Sequence, residues 1–410
     1  MPRYEPINTT SSSPGRSFKY FNYIVCATAI LGLVLLSQLA WQQGDDQYTE
    51  AFPKTRPKEE ELLALQPNTS LCSIHDFNRG QWKRRPIKLK KQGDIAAFEQ
   101  AVGYHCPSTF HHRCYKRGGQ ELDRNKRIVD YIWLPETCSV TQFDASLMAK
   151  HLAEHPLLLV GDSITQLQFE SLSCLLGEHT RIGKQLSLSL MGGNPSIKAS
   201  QLLYNEKGHL KDKPVVTFVR SDYLVRLDDN KILEPYDEEG FMLSKGHNFP
   251  WMHMLPYFDY VILNTGPHWR RNPHWGPNMS QEELLEGFKS AMSSLMNRLK
   301  EQVNHTRRIW YRSTPFGHLK CSRYTAPQKT PVQPTADPYD WNMFEKFDAI
   351  IQDYIQDLGD ERIQLFNVSF TNYRGDAHSR PDKDCLHTCL PGPVDDWNRL
   401  LYHEITRTSS

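Results

Sequence analysis

Short apolar runs alternate with amphipathic stretches along most of the chain after residue 155. Leucine and valine fill the run at residues 156–160, and the stretch at residues 166–176 has the periodicity of a helix. Three later runs of apolar and β-branched residues stand at residues 259–264, 308–312 and 362–367. Runs of this kind are suited to buried parallel strands.

The segments between these runs predict helices. Ser280 and Glu283 form a capping-box pattern, and residues 341–358 are amphipathic. The apolar residues that follow the capping box share one helical face and are Leu284, Leu285, Phe288, Met292, Leu295 and Leu299. We therefore expect an α/β fold of three layers (αβα), in which helices cover both faces of a central, mostly parallel sheet. Ligands should bind at the carboxyl ends of its strands.

An uncharged run at residues 21–41 is long enough to cross a bilayer as a helix. Basic residues precede it and acidic residues follow it, so the positive-inside tendency places the short N-terminus in the cytosol. A cleaved signal peptide is the alternative, but the run is longer than an ordinary apolar signal region. We expect a single-pass type II membrane protein. Its parts are a cytosolic tail at 1–20, an anchor at 21–41, a stem at 42–71 and a luminal catalytic domain at 72–405.

Composition fits a luminal protein. With 48 basic and 47 acidic residues, the chain lacks the charge expected of a nucleic-acid partner. Of its nine cysteines, Cys26 lies in the predicted anchor. The other eight are an even number, which is consistent with disulfides in an oxidising compartment. Acceptor patterns for N-glycosylation lie beyond the anchor at Asn68, Asn278, Asn304 and Asn367.

A Gly-Asp-Ser tripeptide, from Gly161 to Ser163, joins the apolar run at 156–160 to the amphipathic stretch. This is the place of a nucleophile on a strand-to-helix turn, where the first helical N–H groups can stabilise negative charge on a carbonyl oxygen. Gly161 and Asp162 are expected to shape the turn. The alternative is an ordinary helix cap without catalytic function.

Asp384 and His387 could serve Ser163 together. Three residues apart, they can face the same way within one helical turn, as an orienting carboxylate and a general base. Two alternatives remain for His387. It could be a structural histidine, or it could bind zinc with Cys385 and Cys389, although zinc would then occupy the proposed base.

The residues around both motifs resemble the two signature blocks of the trichome-birefringence-like family, also called PC-esterases. The first block comprises Gly161 to Ser163 with residues 168–172, and the second comprises residues 384–398. The similarity extends from Cys72 to about His403. These proteins are similar to the GDSL/SGNH acyl-esterase group, so the resemblance implies an SGNH-like fold with an N-terminal elaboration stapled by disulfides.

The resemblance also implies the chemistry. Ser163 would be the nucleophile, His387 the general base and Asp384 its orienting partner. Studied members are mostly Golgi O-acetyltransferases of polysaccharides, so we expect a Golgi membrane enzyme that passes an acetyl group through an acyl-serine to a glycan hydroxyl. No bound cofactor or metal is expected, and acetyl-CoA is the donor to try first. A luminal acetylesterase with the same catalytic residues is the alternative, and a non-catalytic glycan-binding protein is a third.

Family similarity further implies a disulfide pairing, which is Cys72 with Cys138, Cys106 with Cys174, Cys114 with Cys389 and Cys321 with Cys385. The chain also departs from the family pattern beside the reacting centre. Gln166 and Leu167 stand where Arg and Asn are usual, Thr388 replaces a Trp, and Pro267 is inserted before His268. Donor and acceptor preference therefore do not carry over from the family.

Three functional residues are expected at the ends of different strands, namely Ser163, Asn264 and Arg312. Asn264 is the predicted side-chain donor to the oxyanion, beside the Ser163 backbone amide, and the alternative is a turn residue before Gly266. A further glycine donor could be Gly192 or Gly193. Aromatic faces and hydrogen-bond donors for a sugar or an acyl donor are expected from Trp251, His268, Trp269, His274, Trp275, Arg312 and His318. Because large aromatic side chains are often mostly buried, we expect about half of these residues to be structural instead.

Overall fold

The computed structural model describes residues 70–89, 93–187, 198–205, 213–225, 251–271, 280–303, 308–331, 334 and 339–409. Several predictions fall outside these residues. They are the tail and anchor, nearly all of the stem, the acceptor sites Asn68, Asn278 and Asn304, and Gly192, Gly193, His274 and Trp275. None of the helices within the described ranges is long and apolar enough to span a membrane.

Strands and helices alternate along the described chain much as the hydrophobic pattern predicts. In chain order they are β1 (Gly80–Arg84), α1 (Ile95–Val102), α2 (Gly119–Val129), β2 (Tyr131–Pro135), α3 (Ala145–Glu154), β3 (Leu157–Gly161), α4 (Ser163–Leu176), β4 (Thr180–Ile182), β5 (Leu186–Ser187), β6 (Lys198–Tyr204), β7 (Pro214–Arg220), β8 (Tyr260–Leu263), α5 (Gln281–Gln302), β9 (Arg308–Arg312), α6 (Phe344–Leu358), β10 (Ile363–Phe366), β11 (His378–Arg380), β12 (Asp384–Thr388) and α7 (Pro393–Ser409).

The central sheet of the described chain has eight strands in the order β10-β9-β8-β3-β7-β6-β4, with β5 also paired to β6. From β10 to β7 all neighbours are parallel. Beyond β7 the pairing becomes antiparallel, at β6 and then at β4 and β5. The predicted parallel sheet is therefore confirmed for the half that carries Ser163, and an antiparallel edge adjoins it.

Helices cover both faces of this sheet. Successive side chains of each strand point to opposite faces, so both faces present apolar residues against which helices pack. Leu157 and Leu159 of β3 pack into one hydrophobic cluster, which also receives apolar residues of α3, α4 and α7. Leu158 and Val160 pack into a second cluster, which receives residues of α5 and α6. The sheet is thus the middle of three layers, as expected.

Local sequence signals set the starts of two central helices. Asp162 caps α4, since its Oδ1 accepts the backbone N–H of Ile164 at 2.8 Å. Ser280 and Glu283 form both hydrogen bonds of the predicted capping box before α5. Each cap satisfies backbone groups that a helix leaves unpaired in its first turn.

The N-terminal elaboration contains a two-stranded sheet of its own and is linked to the rest of the domain by disulfides. Strands β1 and β2 pair antiparallel, with Gly80 opposite Pro135. The four disulfides confirm the predicted pairing and are Cys72–Cys138, Cys106–Cys174, Cys114–Cys389 and Cys321–Cys385. Cys385 lies directly after Asp384 and is bonded to Cys321, and Cys389 lies two residues after His387 and is bonded to Cys114. The chain is thereby fixed on both sides of His387.

Candidate active site

Ser163 occupies the position where the buried strand β3 becomes α4. Gly161, the last residue of β3, has no room for a side chain, because a Cβ would clash with the Thr165 side chain and the Asn264 carbonyl. Asp162 is fully buried and caps the helix, as expected for a residue that shapes the turn. Burial raises the pKa of the Asp162 carboxyl, an effect that nearby His268 opposes. The sharp turn leaves Ser163 partly exposed above the sheet.

A continuous hydrogen-bond relay connects Ser163 to His387 and Asp384. The Ser163 Oγ lies 2.8 Å from His387 Nε2, and His387 Nδ1 lies 2.9 Å from Asp384 Oδ2. A carboxylate only accepts, so the His387 proton belongs on Nδ1 and the Nε2 lone pair faces the serine hydroxyl. This is the arrangement that removes a proton from a serine nucleophile.

The relay does not use the helical turn predicted for its second half. Residues 384–388 form strand β12, which pairs with β11, and the register shifts between His378 and Arg380. Within this strand, the Asp384 carboxylate accepts the backbone N–H groups of Leu386 and His387, each at 3.1 Å. Asp384 and His387 therefore face each other through a local side-chain-to-backbone turn rather than through helical spacing.

The electrostatics of Asp384 suit the orienting role. Burial alone would raise the pKa of its carboxyl, but hydrogen bonds and charge from His387, with the Leu386 backbone N–H, together hold that pKa well below its usual range. Asp384 is thus an anion at any pH at which His387 could act as a base.

Asn264 lies at the predicted strand end, but its side chain is committed elsewhere. It is fully buried, and its Nδ2 donates to the Arg312 carbonyl at 2.9 Å and to Thr314 Oγ1 at 2.8 Å. Its Oδ1 accepts from the Arg312 guanidinium. Both amide hydrogens are therefore used inside the domain, and the geometry contradicts the prediction that Asn264 donates to an oxyanion. The Ser163 amide, in the first turn of α4, remains the proposed donor.

Arg312 also differs from its predicted substrate-binding role. Its side chain is fully buried, and its Nη1 donates to Gln168 Oε1 at 2.7 Å. The guanidinium lies 4.7 Å from the ring centroid of Trp397. Burial lowers the pKa of Arg312 to about 10, and Asp162 opposes this shift. Arg312 supports the site from beneath, and it is too deep to contact a substrate.

Of the other described substrate candidates, one stays accessible. Trp251, Trp269 and His318 are buried, because Trp251 and Trp269 belong to a hydrophobic cluster and His318 bonds to His378 at 2.8 Å. His268 keeps 18% of its side chain exposed, and its Nε2 lies 3.6 Å from Asp222 Oδ1. Among these four residues, burial therefore limits a substrate role to His268.

Sequence reasoning missed His112 and Glu170 as neighbours of the relay. The His112 and His387 rings lie 5.2 Å apart between centroids at an interplanar angle of 18°. Glu170 is seven residues after Ser163, so two helical turns place it on the same face of α4. His112 and His387 each stand two residues before a cysteine of the Cys114–Cys389 bridge, and that pairing was a usable signal.

Residues that could hold a metal ion coincide with the relay. Among the described residues, His112, Asp384 and His387 each place one ligand atom within 4.8 Å of the others. A metal there would take the atoms that proton transfer requires. The alternative zinc site of Cys385, His387 and Cys389 is excluded, because both cysteines are in disulfides.

Comparison with known families adds a match to the central part of the chain. Residues 140–404 match the family model PC-Esterase, described as a GDSL/SGNH-like acyl-esterase family found in Pmr5 and Cas1p. The matched segment contains Ser163, Asp384 and His387, and it leaves out His112 and most of the N-terminal elaboration.

Curated relatives are distant in sequence. Protein trichome birefringence-like 9 of Arabidopsis thaliana is 22% identical over 84% of this chain and 86% of its own length. Protein trichome birefringence of the same plant is 23% identical over 80% of this chain, which spans 56% of that protein. Xylan O-acetyltransferase 6 of Oryza sativa subsp. japonica is 24% identical over 83% of this chain and 64% of its own length.

Proposed function

This chain belongs to the PC-Esterase family, and from that premise we propose that it is a polysaccharide O-acetyltransferase that carries the acetyl group on Ser163. The observation that carries the proposal is the relay from Ser163 through His387 to Asp384, with distances of 2.8 and 2.9 Å. Relatives named as xylan O-acetyltransferases support a polysaccharide acceptor.

The first half-reaction loads the serine. His387 Nε2 takes the Ser163 proton, Oγ attacks the acetyl carbonyl of the donor, and the negative charge on the carbonyl oxygen is stabilised by the Ser163 amide at the start of α4. Asp384 keeps the proton on Nδ1 and stabilises the imidazolium that forms. That proton then passes to the leaving group of the donor, and acetyl-Ser163 remains.

In the second half-reaction, a glycan hydroxyl attacks acetyl-Ser163 while His387 removes its proton. The Ser163–acyl bond breaks, and the proton returns to the Ser163 Oγ. Water in place of the glycan would give hydrolysis, so an acetylesterase uses the same relay. The family description names acyl-esterases, which makes hydrolysis the second candidate.

The compartment and the donor belong to the same proposal. We place the enzyme in the Golgi membrane as a single-pass type II protein, on the strength of the uncharged run at residues 21–41 and the basic residues before it. Four disulfides support an oxidising lumen. Acetyl-CoA is the proposed donor, without a bound cofactor, and Asn367 is a proposed glycan site because its side chain is partly exposed.

Intact mass spectrometry tests the proposal directly. The full chain, purified in mild detergent, is incubated with acetyl-CoA and then with water alone or with a panel of polysaccharides including xylan. We expect one acetyl group on the peptide containing Ser163, stable in water and discharged by an acceptor glycan. The Ser163→Ala variant should stay unmodified. Rapid discharge in water would identify an esterase, and acetylation of wild type and variant alike would contradict the proposed nucleophile.

A further inference from the structure

His112 gives the site a second imidazole beside the proposed base. Its ring lies 5.2 Å from that of His387, and one nitrogen of each ring lies within 4.8 Å of the other. The backbone fixes this placement, because the His112 carbonyl accepts the Leu390 N–H at 2.8 Å and Cys114 is bonded to Cys389. The two rings therefore form one stacked pair.

Glu170 faces the second imidazole, at a longer distance than Asp384 faces the first. His112 Nδ1 lies 3.6 Å from Glu170 Oε2, and both atoms are buried without a hydrogen-bond partner among the described residues. The other oxygen, Oε1, accepts from Gln166 Nε2 at 3.0 Å. A lone pair facing a carboxylate is repelled, whereas an N–H facing it is attracted, so the His112 proton belongs on Nδ1.

His112 consequently has a hydrogen-bond acceptor to offer on the accessible side of its ring. With the proton on the buried Nδ1, the Nε2 lone pair is unprotonated. The His112 side chain keeps 23% of its surface exposed, whereas Glu170 keeps 7%. The site thus contains two neighbouring imidazoles that each offer an Nε2 acceptor, His387 beside Ser163 and His112 with its ring centroid 5.2 Å from that of His387.

We infer that this histidine pair recognises two neighbouring hydroxyl groups of the acceptor, a vicinal diol. The inference rests on the proposed function. One hydroxyl donates its proton to His387, attacks the acetyl carbonyl and displaces Ser163 Oγ, which recovers that proton. The adjacent hydroxyl donates a hydrogen bond to His112 and takes no part in bond making. His112 is thereby a positioning residue for the acceptor.

A diol has an advantage over water in this arrangement. A water molecule that donates its reacting proton to His387 is not held at the distance of a second hydroxyl group, whereas a ring diol presents both donors on one rigid frame. Positioning of this kind favours the attack that has the correct geometry. The pair therefore biases acetyl-Ser163 towards transfer, and it selects polyols over isolated alcohols.

The test compares two acceptors of the same ring size, trans-cyclohexane-1,2-diol and cyclohexanol. Full-length enzyme is acetylated with p-nitrophenyl acetate in the presence of a chelator, and the acetylated alcohols and free acetate are quantified together. The readout is the ratio of diol transfer to mono-alcohol transfer per hydroxyl group. Both products come from the same acyl-enzyme, so a smaller fraction of folded enzyme in a variant lowers both yields equally and leaves their ratio unchanged.

We expect a wild-type ratio of about ten, which corresponds to one added hydrogen bond. His112→Phe should bring the ratio close to one, and His112→Gln should retain part of the preference because its amide oxygen accepts a hydroxyl. His111→Phe is the matched control, since His111 is the exposed neighbour, and it should keep the wild-type ratio.

Two results would overturn the inference, which are a wild-type ratio near one and a His112→Phe ratio equal to that of wild type. Failure of the proposed function looks different. In that case the wild-type enzyme forms no acetyl-Ser163, and the inference falls with it. A loss of acetylation confined to His112→Phe would assign His112 to the first half-reaction and contradict the acceptor role.

Discussion

The relay and the Asn264–Arg312 cluster lie at the same edge of the sheet and are built in opposite ways. The relay comprises Ser163, His387 and Asp384, and the His387 and Asp384 side chains keep 20% and 30% of their surface exposed. The cluster comprises Asn264, Arg312 and the Gln168 amide, all fully buried. One group keeps a reactive hydroxyl accessible, whereas the buried hydrogen bonds of the other join the ends of β8 and β9 to α4.

This difference separates position from role. Ser163, Asn264 and Arg312 all lie at or next to the carboxyl ends of parallel strands, where ligands are expected. Only Ser163 turns above the sheet, because Asp162 starts a helix there. Asn264 and Arg312 bond to each other below that level. Mutations should therefore affect activity in the relay and stability in the cluster.

The largest expected effect comes from Asp384→Asn. An Asn side chain can still accept the two backbone N–H groups through its oxygen, but its NH₂ group would face His387 Nδ1 and favour the wrong tautomer. We expect kcat/KM for acetyl transfer to fall about 10⁴-fold, with little change in the unfolding temperature. Steady-state kinetics and a thermal melt measure the two effects.

Asp382→Asn is the matched control for this variant, since Asp382 is exposed in the turn before β12. It should retain wild-type kinetics. Equal activity of Asp384→Asn and wild type would remove Asp384 from the mechanism.

Arg312→Met tests the other side of the comparison. It leaves the Asn264 and Gln168 carbonyl oxygens buried without the guanidinium donor, and each unsatisfied group costs about 1–3 kcal/mol. We expect a loss of about 4 kcal/mol in the free energy of unfolding, measured by urea denaturation. Activity per folded molecule should fall far less than in Asp384→Asn.

Arg308→Met, at the partly exposed start of the same strand, should change stability by less than about 0.5 kcal/mol. An Arg312→Met protein with unchanged stability and a raised acceptor KM would restore the predicted substrate contact.

Two disulfides that close loops of almost equal length allow effects on stability to be distinguished from effects on activity. Cys321–Cys385 closes a separation of 64 residues and adjoins Asp384, whereas Cys72–Cys138 closes 66 residues in the N-terminal elaboration. Replacing either pair by serine should cost about 3 kcal/mol of unfolding free energy, because the loops constrain the unfolded chain similarly. Only the Cys321/Cys385 double variant should also lower kcat.

The measurement is urea denaturation with single-turnover acetylation at a temperature where both variants are folded. Equal kcat in the two variants would mean that β12 holds Asp384 and His387 without the adjacent disulfide.

Local signals predicted much of this molecule. The capping residues Asp162 and Ser280 set helix starts through contacts within three residues, and apolar runs set the parallel strands. Family resemblance supplied the disulfide pairing and both halves of the relay. Each of these features depends on short-range sequence or on motifs that survive at low identity.

Side-chain direction at the strand ends could not be predicted in the same way. Whether Asn264 faces a substrate or Arg312 depends on residues 48 positions apart. His112 reaches His387 only because a disulfide with a sequence separation of 275 brings their segments together. The prediction that Asp384 and His387 share a helical turn was wrong, because they lie in a strand. A hydrogen bond from the His387 backbone N–H to the Asp384 side chain brings the two residues together there instead.

The smallest expected effect concerns His378, which lies behind the relay with its Nδ1 3.4 Å from the His387 carbonyl. Burial, with help from neighbouring His318, lowers the pKa of His378 to about 3. An unfolded histidine binds a proton below its ordinary pKa of about 6.5, whereas folded His378 does not, so stability is lost as the pH falls below that value. Between pH 7 and pH 5 this amounts to about 2 kcal/mol. His378→Gln should remove that part of the pH dependence, which urea denaturation at both pH values measures. An unchanged dependence would mean that His378 binds a proton equally well in the folded and the unfolded protein, so that burial does not lower its pKa.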